Sequence, residues 1–184
     1  VQRVETTAGL VTGWRGDERM YRIRLNDPCN LRLDGKALID GTAWDYAYVE
    51  LGDPGIPHAV VPVKNLRDFD TAKLRELGRR LRYYPEFPKG ANVNFYEIIG
   101  ADHIYERTYE RGVEDFTYAC GTGTGSVVTV LTLLGKVSGH QVRVDMTGGQ
   151  LMVDVEREGN QVTNLYLTGP TNIVCKGEIT DEAL

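Results

Sequence analysis

Tyr109–Ser126, YERGVEDFTYACGTGTGS, is the stretch on which the reading of the whole sequence turns. An acidic loop runs into Cys120, glycines follow at 121, 123 and 125, and an apolar run begins at Val127. Thr122–Leu134 is apolar nearly all round, which predicts a helix buried on every side. Glycines at its start let backbone amides approach a ligand closely, and a helix N-terminus gathers unpaired N–H groups carrying partial positive charge. Such a turn favours a bound carboxylate or phosphate. It also favours a thiolate at Cys120, drawing the thiol below its usual pKa of roughly 8.5. The lysine of a Walker loop is absent, and GTGTGS does not supply GxGxxG, so a nucleotide cradle is disfavoured. On residue chemistry alone, Cys120 stands equally as a small buried hydrophobe and as a reactive thiol.

Outward from this stretch the chain alternates short apolar runs with turn signals. Extended segments are expected at Arg3–Thr7, Leu10–Trp14 and Met20–Leu25, and again at Tyr46–Leu51 and His58–Val63 around a GDPGIP turn. Asn26-Asp27-Pro28 breaks the pattern between these groups and marks a candidate lobe boundary. Asp68–Tyr84 reads as a helix with an aspartate cap and a Leu74, Leu77, Leu81 stripe. Asn92–Ile99 and His103–Glu110 form an expected antiparallel pair across Gly100-Ala101-Asp102. Val142–Met146, Leu151–Glu156, Val162–Leu167 and Ile173–Ile179 complete a strand-rich tail. The class is α+β, a mostly antiparallel sheet curled around one buried central helix with a second helix outside.

Composition narrows the function. The formal net charge of −5 and the scattered basic residues disfavour a nucleic-acid groove, and Lys73–Arg82 reads as a solvated helix face. The longest apolar run, Val127–Leu134, falls far short of the roughly 20 residues that span a bilayer, so no membrane partner is expected. Cys29, Cys120 and Cys175 are odd in number and far apart, which points to free thiols in a reducing, cytoplasmic setting. His58, His103 and His140 have no metal-ligand spacing, so no metal site is expected.

The Tyr109–Ser126 stretch resembles the second catalytic-cysteine motif of the diaminopimelate epimerases. GIPHAVVPV (Gly55–Val63) resembles that family's glycine-x-proline-histidine strand, and GANVNFYEI (Gly90–Ile98), followed by DHI (Asp102–Ile104), its asparagine-bearing strand. VRVDMTGGQLMV resembles its glycine-glycine hairpin and LTGPTNIVCKGEI its closing strands, all in family order. The resemblance implies that Cys120 is one of two catalytic thiols, tuned by His58 and Glu110. It implies that Arg111 binds a substrate carboxylate, Asn92 and Glu110 other polar parts of the substrate, and the Gly121 and Thr122 amides the α-carboxylate. Ile56 stands where many members have a substrate-contacting asparagine, and Phe116 where an acidic residue is usual, both making the site less polar.

An α-carbon inverted without pyridoxal phosphate or any other cofactor needs a base on one face and an acid on the other. The family's first thiol lies in an asparagine-glycine-rich motif of an N-terminal lobe, and no such motif occurs here. The expected division is therefore a tail of that lobe (residues 1–28), a catalytic lobe (29–172) and a closing strand returning to the first lobe (173–184). Cys29, after a proline in an expected linker, and Cys175, in the last expected strand, lack the glycine turn and charged neighbours that activate Cys120. The leading expectation is an epimerase of LL- and meso-diaminopimelate whose partners are a small amino-acid substrate, the missing lobe and a second copy in a homodimer. A racemase of another amino acid, with histidine one candidate, or a non-catalytic ligand-binding lobe are the alternatives.

Overall fold

A computed structural model describes residues 1–6, 9–178 and 180–181. Its strands are β1 (Gln2–Thr6), β2 (Gly9–Arg15), β3 (Met20–Arg24), β4 (Pro28–Ile39), β5 (Thr42–Leu51) and β6 (Ile56–Pro62). Helix α1 (Thr71–Arg82) follows, then β7 (Asn92–Gly100), β8 (His103–Glu110) and β9 (Asp115–Phe116). Helix α2 (Gly121–Leu133) leads into β10 (Val142–Met146), β11 (Gly149–Glu158) and β12 (Gln161–Pro170). This is an α+β fold, mostly sheet with two helices. Neither helix is long and apolar enough to cross a membrane.

The strands join in one sheet ordered β1-β2-β3-β12-β11-β10-β8-β7-β6-β5-β4, with β9 paired to β8. All pairings are antiparallel except β6 with β7 and β8 with β10. Residues before Asn26 therefore continue the same sheet, because β3 lies in register against β12 from Met20↔Pro170 to Arg24↔Tyr166.

The two faces of the β5–β8 region carry two cores. Ala47, Val49, Val60, Tyr96 and Ile104 point towards α2 and pack with its Val127, Val128, Val130 and Leu131. Alternate residues, among them Ala59, Val61, Val93, Phe95 and Tyr109, pack with Leu74, Leu77 and Leu81 of α1. The period-two alternation of a strand divides the two sets. Helix α2 touches β4, β5, β6 and β7 and also β11 and β12, so its whole circumference is apolar or small. Val127, Val128 and Leu131 are fully buried, each contributing about 1.5–3 kcal/mol by removal from water.

Two expectations are corrected. Pro28–Ile39 is a twelve-residue strand rather than a linker, so Cys29 lies in β4. Its pairing with β5 shifts register twice, between Cys29 and Arg32 and between Arg32 and Gly35, which blurs the alternation and makes Asp34-Gly35 look like a turn. The closing strand expected at Ile173–Ile179 does not form over residues 173–178. These pair with no strand, and Ile173 and Val174 are 80% and 94% exposed. Their alternating pattern finds no partner strand among the described residues, and Ile179 lies outside those residues.

Candidate active site

The site gathers where α2 begins over β6, β7 and β8. Cys120 is the residue from which α2 starts, with extended backbone and no side-chain cap bond. Its Sγ lies 3.7 Å from Thr122 Oγ1 and receives the Gly123 amide. A helix leaves its first amides without intrahelical partners, so the Gly121 and Thr122 amides open at the same turn. Close approach decides the glycine at 123, since a Cβ there overlaps Asn94 Oδ1 and comes within 3.2 Å of Cys120 Sγ. At 121 a Cβ meets Leu167 of β12 at 2.9 Å.

Against the expectation from the helix end alone, the Cys120 thiol is pushed up to about 11. Burial is the largest cause, and the charges of Glu106 and Glu110 add to it. The Gly123 amide and the Thr122 hydroxyl pull the other way without prevailing. A helix end stabilises a thiolate by a modest amount, and removal from water beside two carboxylates outweighs it.

His58 is fully buried on β6, in register with Asn92 of β7. Its Nδ1 lies 3.2 Å from Asn94 Nδ2, and Asn94 Oδ1 accepts from Thr108 Oγ1 at 3.1 Å. The Asn94 amide therefore donates to Nδ1 and the ring proton sits on Nε2. Nε2 has no hydrogen-bond partner among the described residues. Burial and then the Arg111 charge push His58 down to about 3, so the ring is neutral at neutral pH.

Asn92 acts as a clamp. Its Nδ2 donates to the Pro57 carbonyl at 3.1 Å and its Oδ1 accepts the Arg111 amide at 2.8 Å, tying β6 to the end of β8. Glu110 is half-buried at the end of β8, and its charge reaches Cys120. The Arg111 guanidinium donates to the Lys89 carbonyl at 3.0 Å, and among the described residues no carboxylate pairs with it. Lys89 also lines a cleft of about 710 Å³ with Arg24, Cys29, Glu50 and Gly55. There its ammonium meets Glu50 at 2.8 Å, and Glu50 accepts from Tyr48 at 2.7 Å.

Ile56 opens β6 beside that cleft, half-buried and in register with Leu51. Phe116 is a correction. It points to the opposite face of β8, against Phe95 and Tyr109 with the Arg107 guanidinium over its ring, and so has no bearing on the polarity near Cys120. The site also contains residues not anticipated from the sequence: Asn94, Glu106, Thr108 and Thr124. Glu106 and Thr108 are buried on the α2 face of β8, and Thr124 bonds the Cys120 carbonyl at 3.0 Å. A signal for them existed, since Asn92 and Asn94 on one strand and Glu106, Thr108 and Glu110 on the next place polar groups at inward positions.

The fold that carries this site is shared with solved structures of an epimerase and a probable racemase. A hydroxyproline epimerase from Agrobacterium vitis superposes with a TM-score of 0.71 at 20% identity, over 91% of this chain and 55% of that one. A probable proline racemase from Agrobacterium radiobacter gives 0.70 at 21%, over 98% and 60%. At these identities the likeness is one of fold. Sequence makes it specific, because the family model for diaminopimelate epimerase matches residues 52–174. The chain belongs to the diaminopimelate epimerase family. It is 40% identical over 164 residues to the Chlorobaculum tepidum diaminopimelate epimerase, covering 89% of this chain and 59% of that protein. Against the enzymes of Leptospira biflexa and Aquifex aeolicus it is 34% identical, covering 90% and 99% of this chain but 51% and 63% of theirs. The chain thus spans between half and two thirds of the length of these relatives.

Proposed function

We propose that the protein containing this chain is a cofactor-independent epimerase that interconverts LL- and meso-diaminopimelate, with Cys120 as one of two thiol acid–bases. The observation that carries the reading is the position of Cys120: an uncapped helix start whose Gly123 amide faces the sulfur. The same turn brings the thiol and the open amides of Gly121 and Thr122 within one ligand's reach. A carboxylate held by those amides presents its α-carbon to the sulfur, and helix-end dipoles offset the charge that develops when the α-proton leaves. A thiol that holds its proton is suited to deliver it to a carbanion, and the reverse reaction uses its thiolate.

The opposite thiol comes, in this reading, from a lobe outside these 184 residues. Cys29 faces the Gly52 carbonyl and is surrounded by Glu50, Asp53 and Lys89, none of which acts on Cys120. Cys175 is exposed in the unpaired tail. The sheet curling around α2 sets the two lobes against one another, a reading supported by that helix touching strands from both halves of the strand order. The unpaired Arg111 guanidinium and the adjoining cleft take the distal carboxylate and ammonium of the substrate. Ile56, next in sequence to Gly55 of that cleft, supports a second reading, in which the far end of the substrate is less polar and a different amino acid is racemised.

Full-length protein incubated with LL-diaminopimelate in deuterated water, without pyridoxal phosphate, tests both readings by NMR. The expected result is deuterium at the α-carbon with conversion to the meso form, reduced roughly a thousandfold or more in Cys120→Ala. Exchange on another amino acid alone, with histidine tried first, selects the second reading. Silence across a panel of amino acids overturns both and leaves a ligand-binding lobe.

A further inference from the structure

Glu106 is a carboxyl at the centre of the site that the two-thiol chemistry does not call upon. Only 2% of it is exposed, it lies on the α2 face of β8, and among the described residues nothing basic pairs with it. Its Oε1 lies 3.0 Å from Thr108 Oγ1, which also lies 3.1 Å from Asn94 Oδ1. One hydroxyl carries one proton. Asn94 Oδ1 is only an acceptor, so that proton goes to Asn94, and the second short contact is a hydrogen bond only if Glu106 supplies the proton. On the helix side the Thr124 hydroxyl, which also acts on the Glu106 carboxyl, already donates to the Cys120 carbonyl at 3.0 Å and so has no proton left for a carboxylate. Glu106 Oε2 has no hydrogen-bond partner among the described residues. An unpaired buried carboxylate is strongly disfavoured, and a buried carboxylic acid is not.

We propose that Glu106 is a positioning residue for Cys120: a carboxylic acid that keeps its proton in the resting protein, heads the hydrogen-bonded chain Glu106–Thr108–Asn94–His58, and penalises the Cys120 thiolate once it ionises. The inference rests on the reading of Cys120 as an acid–base. Burial pushes Glu106 up to about 7, which places its ionisation within the working range of a neutral-pH enzyme. The titratable groups linked to it are Cys120 at the start of α2, whose thiol feels its charge, and His58 on β6, at the far end of the hydrogen-bonded chain; Glu110 and Arg111 lie further along, at the end of β8. His58 stays neutral through this range, being pushed down to about 3, so it supplies no positive charge to hold Glu106 ionised.

The test is the pH dependence of alkylation of Cys120 in the full-length protein, followed by mass spectrometry of the peptide that carries it. This readout needs no substrate and is separate from α-proton exchange. Below pH 7 wild type and Glu106→Gln, which mimics the neutral acid, react alike. At pH 8.5 Glu106→Gln reacts roughly three- to tenfold faster, because the thiolate fraction rises tenfold for each unit of pKa removed. Glu106→Asp, which keeps an ionisable carboxyl, stays close to wild type at both pH values. Coincident profiles for wild type and Glu106→Gln overturn the proposal, as does an equal shift in both variants, the mark of a merely structural role. If Glu106→Gln does not fold, carbon-13 NMR of the wild-type carboxyls decides. A Glu106 resonance titrating near neutrality sustains the proposal, and one titrating in the ordinary glutamate range overturns it. Alkylation that behaves as stated while no amino acid exchanges its α-proton removes the epimerase reading and leaves the Glu106–Cys120 coupling standing.

Discussion

The two helices begin in opposite ways. Helix α1 starts from Asp70, whose side chain accepts the Lys73 amide at 2.9 Å, and ends among Arg79, Arg80 and Arg82. These are the local choices that stabilise a helix by itself: an acidic cap at the positive end and cations at the negative end. Helix α2 starts from Cys120 with no side-chain cap bond, no acidic residue in its first turn and no basic residue in its last. Its stability comes from burial, and its N-terminal amides stay available. One helix ends on itself and the other ends on a site. Local rules thus describe the part of this molecule that holds the fold, and their violation marks the part proposed to carry the chemistry.

The sharpest way to break this contrast is to add one methyl group to each helix. Gly123 of α2 sits against Asn94 Oδ1 and Cys120 Sγ. Gly123→Ala is expected to displace the sulfur or the Asn94 amide and lower α-proton exchange on the order of a hundredfold, the effect of misplacing a reacting group by about an ångström. The thermal midpoint is expected to fall as well, because Asn94 is buried and held by His58 and Thr108, so the loss of exchange is what sets this variant apart. Gly78 of α1 sits against the Tyr109 ring and Cβ, at 2.8 and 2.9 Å from an added methyl. Gly78→Ala is expected to lower stability by about 1 kcal/mol, overpacking outweighing the gain in helix propensity, and to leave the rate of exchange unchanged. Denaturant unfolding and exchange kinetics on both variants check the pair. If Gly123→Ala behaves like Gly78→Ala, the two helix starts do not differ in the way described.

Acid and base sensitivity separates two buried groups within the site under α2. His58 is held down to about 3, well below its ordinary 6.5, so the unfolded chain takes up that proton first. Its contribution is present above pH 6.5 and is lost as pH falls towards 3. Glu106 is raised from 4.5 to about 7, so the folded state holds that proton longer. Its contribution is present below pH 4.5 and is lost as pH rises towards 7. The slopes oppose one another between pH 4.5 and 6.5. Glu106→Gln removes one of them, so the variant is expected to lose stability more steeply than wild type on acidification through that window. The added loss, on the order of 1 kcal/mol or less between the midpoint and the edges of the window, is read by urea unfolding at several pH values. Parallel pH profiles in the two proteins contradict the assignment of a raised Glu106.

How legible all this was in the sequence follows the same division. Helix α1, the Asn92–Gly100 and His103–Glu110 pair, and most other strands were readable because their periodicity is clean, and α2 because its apolar run is unbroken. The strand Pro28–Ile39 was not, because two register shifts and Asp34-Gly35 interrupt its alternation. Ile173–Ile179 misled for the converse reason: alternation shows that a segment can be a strand and says nothing of an edge to pair with. For the candidate site, the glycine turn singled out Cys120, and family resemblance suggested His58, Asn92, Glu110 and Arg111, which the structure brings near one another. Glu106, Thr108 and Thr124 matter only because the chain folds α2 back over β8, a contact that no local periodicity announces. The thiol's raised pKa was hidden for the same reason, since the helix end is local and readable whereas burial beside Glu106 and Glu110 is tertiary.

The smallest expected effect concerns the cap that α1 has and α2 lacks. The Asp70 carboxylate is held below its ordinary range chiefly by the Lys73 amide, so the cap needs the ionised form. Its contribution is fully present above 3.8 and is lost as pH falls below that, through the lowered folded-state value. Asp70→Ala is expected to lower the thermal midpoint at pH 7 by about 3 °C. Well below pH 3.8 the gap narrows, as the wild-type acceptor takes up its proton. Asp70→Asn keeps a capping oxygen without a titrating group, so it should hold nearly the wild-type midpoint at pH 7 and lose less on acidification. No matching experiment exists at α2, since a carboxylate placed at Cys120 removes the thiol and occupies the amides proposed to hold the substrate. If Asp70→Ala slowed α-proton exchange as much as it lowered the midpoint, the capped helix would be coupled to the site. The separation between a helix that holds the fold and one that serves the chemistry would then fail.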